Sequence, residues 1–531
     1  MNAQKHTTRK LIFHPLLFAI YPILALLAMN LDQVRAETAL RAGLLSLAFG
    51  LALYGGLRLL LRDTGRAALL ASGWLLLFFT YGHVYQMVEG QALAGFVYGK
   101  HRFLAVFWLL LALFGLWLVV KKIRSGGEVN TILNLVSVVL VLFPLFQIAQ
   151  FEFRMLRVES AAAEEKAAVQ GAAQPGGQVS ASVEPDIYYI VLDGYSRSDV
   201  MQELYDLDIN PFLEELRGMG FVIPDCAQSN YGLTAFSMFA SLNMDYLDAY
   251  GNSFPLGSER NKVDYQQMRD YLRDSRVRAY LQARGYQMIT FETGFWWLNV
   301  DNSDLYIVEN NNPLKQYSSS YNVSNFEELY LRTTALRVLS EANAAFLSPL
   351  TNRVKPAAEQ HYEWVRFALD QLDKTPEIPG KKFVYFHVLA PHDPFVLGPD
   401  GEYNHPGNES DIPGYPNGVK YLNKRLVEIA RNIIAQSETP PIIIIQGDHG
   451  WDPRYRMEIL NAYFLPDGGG ELIYPTITPV NTFRVVLDRY FGGNFGLLED
   501  KSYFSVGGDF PAYGIVARPY QLTPVPNTCV R

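Results

Sequence analysis

Two side chains that can bind a metal ion follow directly after a long apolar stretch of the sequence. Residues 441–446 lead into Gly447-Asp448-His449-Gly450. The β-branched run predicts a strand buried on both faces of a parallel sheet, and ligands bind at the carboxyl edge of such a sheet. Asp448 and His449 are therefore candidate metal ligands. The alternative is an ordinary turn, with Asp448 capping a helix and His449 merely exposed.

A second carboxylate also follows directly after an apolar stretch of the sequence. Asp193 directly follows the short apolar stretch 187–192. Because the carboxyl ends of parallel strands meet at one edge, Asp193 can converge with Asp448 and His449 into a three-ligand site. Alone, an Asp-Gly pair is more often a turn than a ligand.

A candidate nucleophile lies at a predicted helix start. Gly232 breaks the chain, and the apolar spacing that follows it predicts a helix beginning near Thr234. A hydroxyl in that position lies at the positive end of the helix dipole, beside free N–H groups that stabilise a phosphate. A plain N-cap threonine is the commoner role of such a residue. Ser229 and Ser237 are the alternative nucleophiles.

Candidate substrate-binding groups lie near these residues in the sequence. His387 and His392 lie within or just after the apolar stretch 383–389. Histidines there can bind an anion or give a proton to a leaving group, although His387 is also explained as a core histidine. Arg454 and Arg456 follow the Asp-His pair and can hold a phosphate, whereas exposed surface charge is the default for both.

The elements that would position these groups alternate between strand and helix patterns. This alternation predicts an α/β domain with a mainly parallel sheet and helices on both faces. The predicted strands are 187–192, 221–223, 286–291, 383–389, 442–446 and 460–465, and the predicted helices are 211–219, 263–284, 326–343, 357–373, 418–436 and 478–491.

The first part of the chain is much more apolar than the rest. Five stretches approach the roughly 20 apolar residues that a membrane-spanning helix needs. They predict an N-terminal transmembrane domain over residues 1–154, with spans at 11–29, 40–61, 67–84, 103–120 and 131–151. A cleaved signal peptide is disfavoured because further spans follow directly.

The distribution of basic residues predicts the orientation of the spans. Lys and Arg lie before the first span, between the second and third, and between the fourth and fifth, which places those segments in the cytoplasm. Lys100 and Arg102 are a mild contradiction. Five spans with an inside N-terminus put residues 185–531 on the extracytoplasmic side of the plasma or inner membrane. Residues 155–184, rich in Ala, Gly, Gln and Ser, are predicted to be a linker, whose first half can continue the fifth helix and whose second half is a flexible tether.

Composition restricts the partners. The net charge of −8 gives no reason to expect a nucleic acid. Cys226 and Cys529 are the only cysteines, which excludes a disulfide framework and leaves open whether they form one bridge or two thiols.

Four motifs in this order resemble the alkaline phosphatase and sulfatase superfamily. The resemblance covers roughly residues 185–490. Together with the predicted spans, it is similar to the lipoteichoic acid synthases and, less closely, to the lipid A phosphoethanolamine transferases. The motifs are Asp193-Gly194, Ser229-Asn230-Tyr231 with Thr234-Ala235 and Ser237, His387 with Pro391-His392 and Pro394-Phe395, and Gly447-Asp448-His449-Gly450.

The resemblance implies a site and a cofactor. Asp193, Asp448 and His449 would hold one divalent ion, zinc or manganese, with Thr234 as both ligand and nucleophile. His392 would contact the substrate. A membrane lipid would give the phosphoryl-bearing group, and a glycan or lipid would accept it.

The sequence also departs from its relatives. The phosphotransferases usually have Glu where Asp193 stands, and Asp-Gly is typical of two-metal hydrolase branches. A second metal is uncertain, with Asp393 and His387 the only nearby candidates. The Cys/Ser-x-Pro-x-Arg tag of classical sulfatases is missing around both Thr234 and Cys226.

Three functions follow from these observations. The first is a metal-dependent phosphotransferase working on cell-envelope lipids or glycans through a covalent threonine intermediate. The second is a phosphodiester or sulfuric-ester hydrolase of the same fold. The third is an inactive envelope protein that binds glycans, which the joint presence of Asp193, Thr234, Asp448 and His449 disfavours.

Overall fold

The chain forms two compact units. The computed structural model describes residues 11–31, 38–89, 91–93, 96–97, 99–123, 127–172, 184–260, 262–308, 325–338, 357–405 and 414–527. The first unit comprises residues 1–154 and 313–354, and the second comprises residues 155–312 and 355–531.

Long apolar helices build the first unit. Four of the described helices are long and apolar enough to cross a membrane, and the first helix, of 16 residues, is apolar but shorter. Each predicted span lies on one of these helices. The elements are α1 (His14–Met29), α2 (Ala39–Leu61), α3 (Thr64–Val88), the short hairpin β1 (Ala92–Leu93) and β2 (Phe96–Val97), α4 (His101–Lys121) and α5 (Gly127–Ala172).

Strands and helices alternate in the second unit. It begins with β3 (Ile187–Leu192), α6 (Ser198–Tyr205), α7 (Asn210–Gly218), α8 (Thr234–Asn243), α9 (Tyr265–Arg273), α10 (Arg276–Gln282), β4 (Gln287–Phe291) and β5 (Leu305–Ile307). One helix of the first unit, α11 (Asn325–Thr333), comes next in the sequence. The second unit resumes with α12 (Ala357–Leu372), β6 (Lys382–Val388), α13 (Gly414–Gln436), β7 (Ile442–Gly447), β8 (Asn461–Phe464), α14 (Pro479–Phe491), β9 (Ser502–Phe504) and β10 (Thr523–Val525). Short 3-10 turns cover Leu247–Ser253, Thr375–Glu377, Pro453–Tyr455, Gly469–Leu472 and Pro511–Tyr513.

The register of one sheet aligns the strand ends. The six strands run in the order β5-β4-β6-β3-β7-β8, and β8 is antiparallel while the others are parallel. Leu192 of β3 pairs with Val388 of β6 and with Gly447 of β7. These three strands are buried along their length. Their next residues therefore leave the sheet at the same level, at its carboxyl edge. The α/β domain with a mainly parallel sheet is confirmed.

Several element boundaries differ from the sequence prediction. The helix predicted over 263–284 is two helices, because Ser275 has an extended backbone that starts a second one. The strand predicted over 221–223 is reduced to a single bridge between Val222 and Tyr463. The sequence did not predict β5 or the antiparallel pair of β9 and β10. These pieces are three residues long and lack an alternating pattern.

The chain is also divided differently from the single boundary that we predicted. The helix predicted over 326–343 is observed as α11 and lies in the first unit, because its apolar face packs on α1, α2 and α3. Helix α5 continues to Ala172, into the predicted linker. The rest of that linker to residue 183, and Cys529, lie outside the described residues.

A buried ion pair joins strands at the other edge of the sheet. The Lys382 Nζ lies 2.5 Å from the Asp186 Oδ2, and the Lys382 backbone N–H donates to the same carboxylate at 3.0 Å. The Lys382 side chain is 4% exposed. By contrast, the pair of Lys424 and Asp400 lies in solvent, with side chains 57% and 79% exposed.

This contrast makes a stability prediction. We expect Asp186→Ala to destabilise the second unit by about 3–5 kcal/mol, because it leaves the Lys382 charge buried without its partner. Asp400→Ala is the matched control and should cost less than about 1 kcal/mol. Thermal unfolding of the full chain in detergent compares the two variants. Equal shifts of the unfolding midpoint would contradict the assignment.

Candidate metal and nucleophile site

Three side chains predicted from the sequence meet at the carboxyl edge of the sheet. Asp193 follows β3, and Asp448 and His449 follow β7. One ligand atom from each lies within 4.8 Å of the others, and all three residues are buried. The Asp193 N–H donates to the Val388 carbonyl at 3.1 Å, which continues the strand ladder by one more bond.

The two carboxylates have acceptor atoms that no described protein group satisfies. Neither the Asp193 Oδ1 nor the Asp448 Oδ2 has a hydrogen-bond partner among the described residues, although both atoms are buried. Burial and the charge of Asp193 raise the pKa of the Asp448 carboxyl. Two such carboxylates side by side need a positive charge between them, since unpaired buried charge is costly. Their oxygen atoms and the His449 imidazole therefore fit a divalent cation.

The imidazole of His449 presents a lone pair to this cluster. Its Nδ1 lies 3.1 Å from the Gly450 carbonyl, which can only accept, so Nδ1 carries the proton and Nε2 does not. Burial, with help from Arg456, lowers the pKa of His449. The ring is therefore neutral, as a metal ligand must be.

Thr234 lies within contact distance of that nitrogen. Its Oγ1 is 2.9 Å from the His449 Nε2. Thr234 is the first residue of α8, and the preceding Leu233 has an extended backbone. The hydroxyl therefore stands at the N-terminus of a ten-residue helix, beside the predicted ligands, as the sequence analysis expected.

Ser229 and Ser237 hold the candidate ligand Asp448 in place. Their Oγ atoms donate to the backbone carbonyl of Asp448 at 2.6 and 2.7 Å, and they lie 3.0 Å from each other. Both residues are fully buried. The sequence analysis named these serines as alternative nucleophiles, but their hydroxyls are engaged with the Asp448 backbone. The sequence shows that the two serines lie five residues before and three residues after Thr234. It does not show that both contact the Asp448 carbonyl, which is 211 or more positions away.

The glycines of Gly-Asp-His-Gly allow close packing around the ligands. A Cβ at Gly447 would lie 2.3 Å from the Tyr195 carbonyl oxygen, and one at Gly450 would lie 2.2 Å from the Tyr455 carbonyl oxygen. Any side chain at either position would push the loop outwards. The motif therefore combines two candidate ligands with two positions at which the backbone is tightly enclosed.

The arginine at this site is Arg456 rather than Arg454. The Arg456 Nη2 lies 3.0 Å from the His449 Nε2, while its Nε donates to the Gly232 carbonyl at 2.8 Å and its Nη1 to the Gly450 carbonyl at 3.0 Å. Arg454 is turned away, and its side chain pairs with Asp452 at 2.9 Å and is 53% exposed. Arg456 is thus the cationic side chain beside the candidate ligands, a role that the sequence allows for either arginine.

The two predicted histidines flank Asp193. The His387 Nε2 lies 3.5 Å from the Asp193 Oδ2, at the end of β6 and fully buried. The His392 Nδ1 lies 2.8 Å from the Asp393 Oδ1. Burial opposes protonation of His392, but Asp193 and Asp393 outweigh it and raise its pKa to about 9. His392 is therefore a partly exposed cation near the cluster.

One further histidine was missed by the sequence analysis. His361 lies on α12, where burial and the charge of His392 lower its pKa to about 4. The charges of Asp393 and Asp193 raise the pKa of His361, so His361 lies within electrostatic range of these two carboxylates. A lone histidine on an amphipathic helix carries no motif, so the sequence offered no signal for it.

The hydrogen bonds from the two serines to the Asp448 carbonyl lead to a testable prediction. Ser237→Ala removes a hydroxyl that orients Asp448, so we expect the affinity for zinc or manganese to fall by about 10- to 100-fold. Ser241→Ala is the matched control: Ser241 is a buried serine one turn along α8, and its hydroxyl donates to the Ser237 carbonyl instead. Competition with a chromogenic chelator measures both affinities. Equal losses in the two variants would show that Ser237 has no special role.

Comparison with known proteins agrees with this arrangement. The family model described as Sulfatase matches residues 185–481, which include Asp193, Thr234, Asp448 and His449. No curated protein sequence matches the chain significantly.

Several solved structures are similar to parts of this chain, at low sequence identity. The C-terminal periplasmic domain of EcEptC from Escherichia coli, in complex with Zn, is 11% identical over 64% of this chain and 93% of its own, with a TM-score of 0.36. The integral membrane lipooligosaccharide phosphoethanolamine transferase A (EptA) from Neisseria meningitidis is 11% identical over 89% of this chain and 94% of its own, also with a TM-score of 0.36. The putative sulfatase yidJ from Bacteroides fragilis is 13% identical over 63% of this chain and 84% of its own, with a TM-score of 0.34. At these values the likeness carries no argument about activity.

The family match extends over more than half of the 531 residues and contains every side chain of the buried cluster. The resemblance drawn from the four motifs is therefore confirmed, and this protein belongs to the sulfatase family.

Proposed function

We propose that this protein is a membrane-anchored phosphotransferase that uses Thr234 as its covalent nucleophile and a divalent ion, zinc or manganese, as its cofactor. The observation that carries the proposal is the 2.9 Å separation between the Thr234 Oγ1 and the His449 Nε2, beside the buried carboxylates of Asp193 and Asp448. A hydroxyl in that place is positioned for group transfer rather than for helix capping alone.

The chemistry has two steps. In the first, the Thr234 Oγ1 forms a bond to phosphorus, the bond from phosphorus to the donor's alcohol breaks, and that alcohol leaves with a proton. In the second, an acceptor hydroxyl displaces Thr234 and restores its O–H group. When bound, the metal ion lowers the pKa of the threonine hydroxyl and neutralises charge on the transferred group.

Side chains around Thr234 are suited to the charge that develops. The guanidinium of Arg456 contacts the same nitrogen as the Thr234 hydroxyl, and the Gly232 carbonyl fixes its direction. It can therefore bind a phosphoryl oxygen next to the nucleophile. His392 is partly exposed and its pKa is raised, so it can give a proton to the leaving alcohol.

The membrane helices support a lipid as the donor. A hydrolase of soluble esters would need only one anchor, whereas the described part of this chain has four helices long and apolar enough to span a bilayer, and one shorter apolar helix. We propose a phospholipid as the donor, a glycan or lipid as the acceptor, and an extracytoplasmic location for the catalytic residues. The sulfuric-ester alternative is weaker, because the position of the nucleophile holds a threonine and lacks the Cys/Ser-x-Pro-x-Arg tag.

The covalent step makes the central prediction. With phosphatidylethanolamine or phosphatidylglycerol labelled in its head group, we expect label on the peptide that carries Thr234 in the wild-type protein and none in Thr234→Ala. The Ala variant should keep its metal content, because Asp193, Asp448 and His449 remain. Thr234→Ser, which keeps the hydroxyl, should keep part of the labelling. Near-normal turnover in Thr234→Ala would end the proposal, and release of label to water without an acceptor would favour the hydrolase.

The two arginines make a second prediction. Arg456→Ala should lower kcat/KM by about 10²- to 10³-fold, as expected when one preorganised donor to the transferred group is lost. Arg454→Ala, two residues away and paired with Asp452, should leave kcat/KM within about twofold. Steady-state turnover of the labelled lipid measures both. A larger loss in the Arg454 variant would reverse the assignment.

A further inference from the structure

A segment from the middle of the sulfatase-family match lies among the apolar helices of the first unit. Residues 325–338 follow β5, a strand of the sheet, and precede α12, and both of those elements belong to the second unit. Yet α11 and the residues after it lie in the first unit. Nothing in the sequence pattern of the segment predicted this position.

Along the segment, successive contacts run from the start of α2 towards its middle, and then along α3 to its end. The Glu327 carboxylate accepts from the Arg41 Nε at 2.5 Å, near the start of α2. Further in, the Tyr330 hydroxyl donates to the Ser46 Oγ at 3.2 Å, and the Tyr330 ring lies 6.2 Å from that of Phe79.

The segment then returns along α3. The Ala335 N–H donates to the Phe78 carbonyl at 2.8 Å, and the Arg337 Nη2 lies 2.9 Å from the Glu89 Oε2, at the end of α3. The chain thus enters beside one helix end and leaves beside another.

The depth of these contacts can be read along the helices. Ser46 lies seven residues after the first residue of α2, and Phe78 lies ten residues before the last residue of α3. At a rise of about 1.5 Å per residue, these positions are roughly 10 and 15 Å from the helix ends. Half of a bilayer's hydrocarbon core is about 15 Å thick. The segment therefore reaches towards the middle of the membrane from one side.

Backbone groups at the end of α11 have hydrogen-bond partners, as a membrane interior requires. At the end of α11, the hydroxyl of Thr333 donates to the Tyr330 carbonyl at 2.7 Å, and the hydroxyl of Thr334 donates to the Leu331 carbonyl at 2.9 Å. The Thr334 Oγ1 also accepts from the Leu336 N–H at 3.2 Å. Helix ends exposed to water do not need such substitutes, whereas irregular backbone inside a bilayer does.

Two leucines of the segment are exposed, as leucines at the start of α2 are, and the exposed Arg332 lies between them in the sequence. Leu329 is 40% exposed and Leu336 is 37% exposed, while Leu40 and Leu44 at the start of α2 are 65% and 68% exposed. On a membrane-spanning helix such side chains face acyl chains. The inward side is filled by Phe326, which is 2% exposed and packs against the end of α1 and the start of α2.

We propose that residues 325–338 are a re-entrant element embedded in the extracytoplasmic half of the bilayer, with lipid acyl chains as the partner of Leu329 and Leu336. The sulfatase-family part of the chain is then attached to the membrane twice, through α5 and through this segment. The proposal does not depend on Thr234 chemistry. It agrees with the orientation predicted from the basic residues, because the start of α2 and the end of α3 adjoin the loops predicted to lie outside.

Spin labels at the two leucines test this proposal. The full chain carrying Leu329→Cys or Leu336→Cys is labelled with a nitroxide and reconstituted in phosphatidylcholine vesicles. We expect collisions with dissolved oxygen to exceed those with a water-soluble nickel chelate. Glu438→Cys, before β7 in the second unit, is the control and should show the reverse order, with the unsubstituted chain as the labelling blank. Leucine positions that behave like Glu438 would overturn the proposal.

Two glycines of α3 supply a matched pair of variants for the packing. A Cβ at Gly82 would lie 2.0 Å from the Arg332 carbonyl oxygen, whereas a Cβ at Gly73 meets nothing within 4 Å. In the labelled proteins, Gly82→Ala should therefore raise nickel accessibility at Leu336 several-fold, and Gly73→Ala should leave it unchanged. No change with Gly82→Ala would overturn the packing on α3. If Gly82→Ala does not fold, the labels in the unsubstituted background still decide.

Discussion

The site is organised around the repulsion between two buried carboxylates. Asp193 and Asp448 are placed within a few ångströms of each other, each with one oxygen atom that no described protein group satisfies. In a low-dielectric interior, this arrangement is stable only if protons or cations neutralise it. The parallel register imposes the proximity, because Leu192 and Gly447 are paired across β3 and β7. The sheet therefore holds the two charges together, and a cation relieves the cost.

The rest of the site limits how that charge can be neutralised. The Asp448 Oδ1 is engaged by the N–H groups of Gly194 and His449, each at 2.9 Å, which leaves the Oδ2 without a hydrogen-bond partner among the described residues. The carbonyl of the same residue is held by Ser229 and Ser237. With its backbone and one oxygen atom fixed, Asp448 cannot rotate away from Asp193. Hydrogen bonds of this kind fix the direction of a carboxylate before a metal ion binds to it.

Sequence reasoning succeeded where the signal was local. An apolar run that ends in Asp or Asp-His predicts both a buried strand and the level at which its ligands emerge, and Gly232 marks the start of the helix that presents Thr234. Prediction from the sequence failed where the outcome depended on the direction in which a side chain points. Arg454 and Arg456 differ by two positions, and only the 3-10 turn Pro453–Tyr455 turns one towards Asp452 and the other towards His449. The partners of Ser237 and of Tyr330 are likewise long-range contacts that periodicity does not encode.

The choice of threonine follows from what surrounds it. A β-branched side chain has few χ1 rotamers in a helix, so Thr234 at the first position of α8 presents its hydroxyl in a restricted set of directions. One of these directions is occupied in the structure, where the Thr234 Oγ1 contacts the His449 Nε2 at 2.9 Å. The Arg456 guanidinium lies 3.0 Å from the same imidazole nitrogen. The rigidity that the sheet imposes on Asp448 thus extends to the proposed nucleophile, because the Nε2 of His449 lies 3.4 Å from the Asp448 Oδ2 and 2.9 Å from the Thr234 Oγ1.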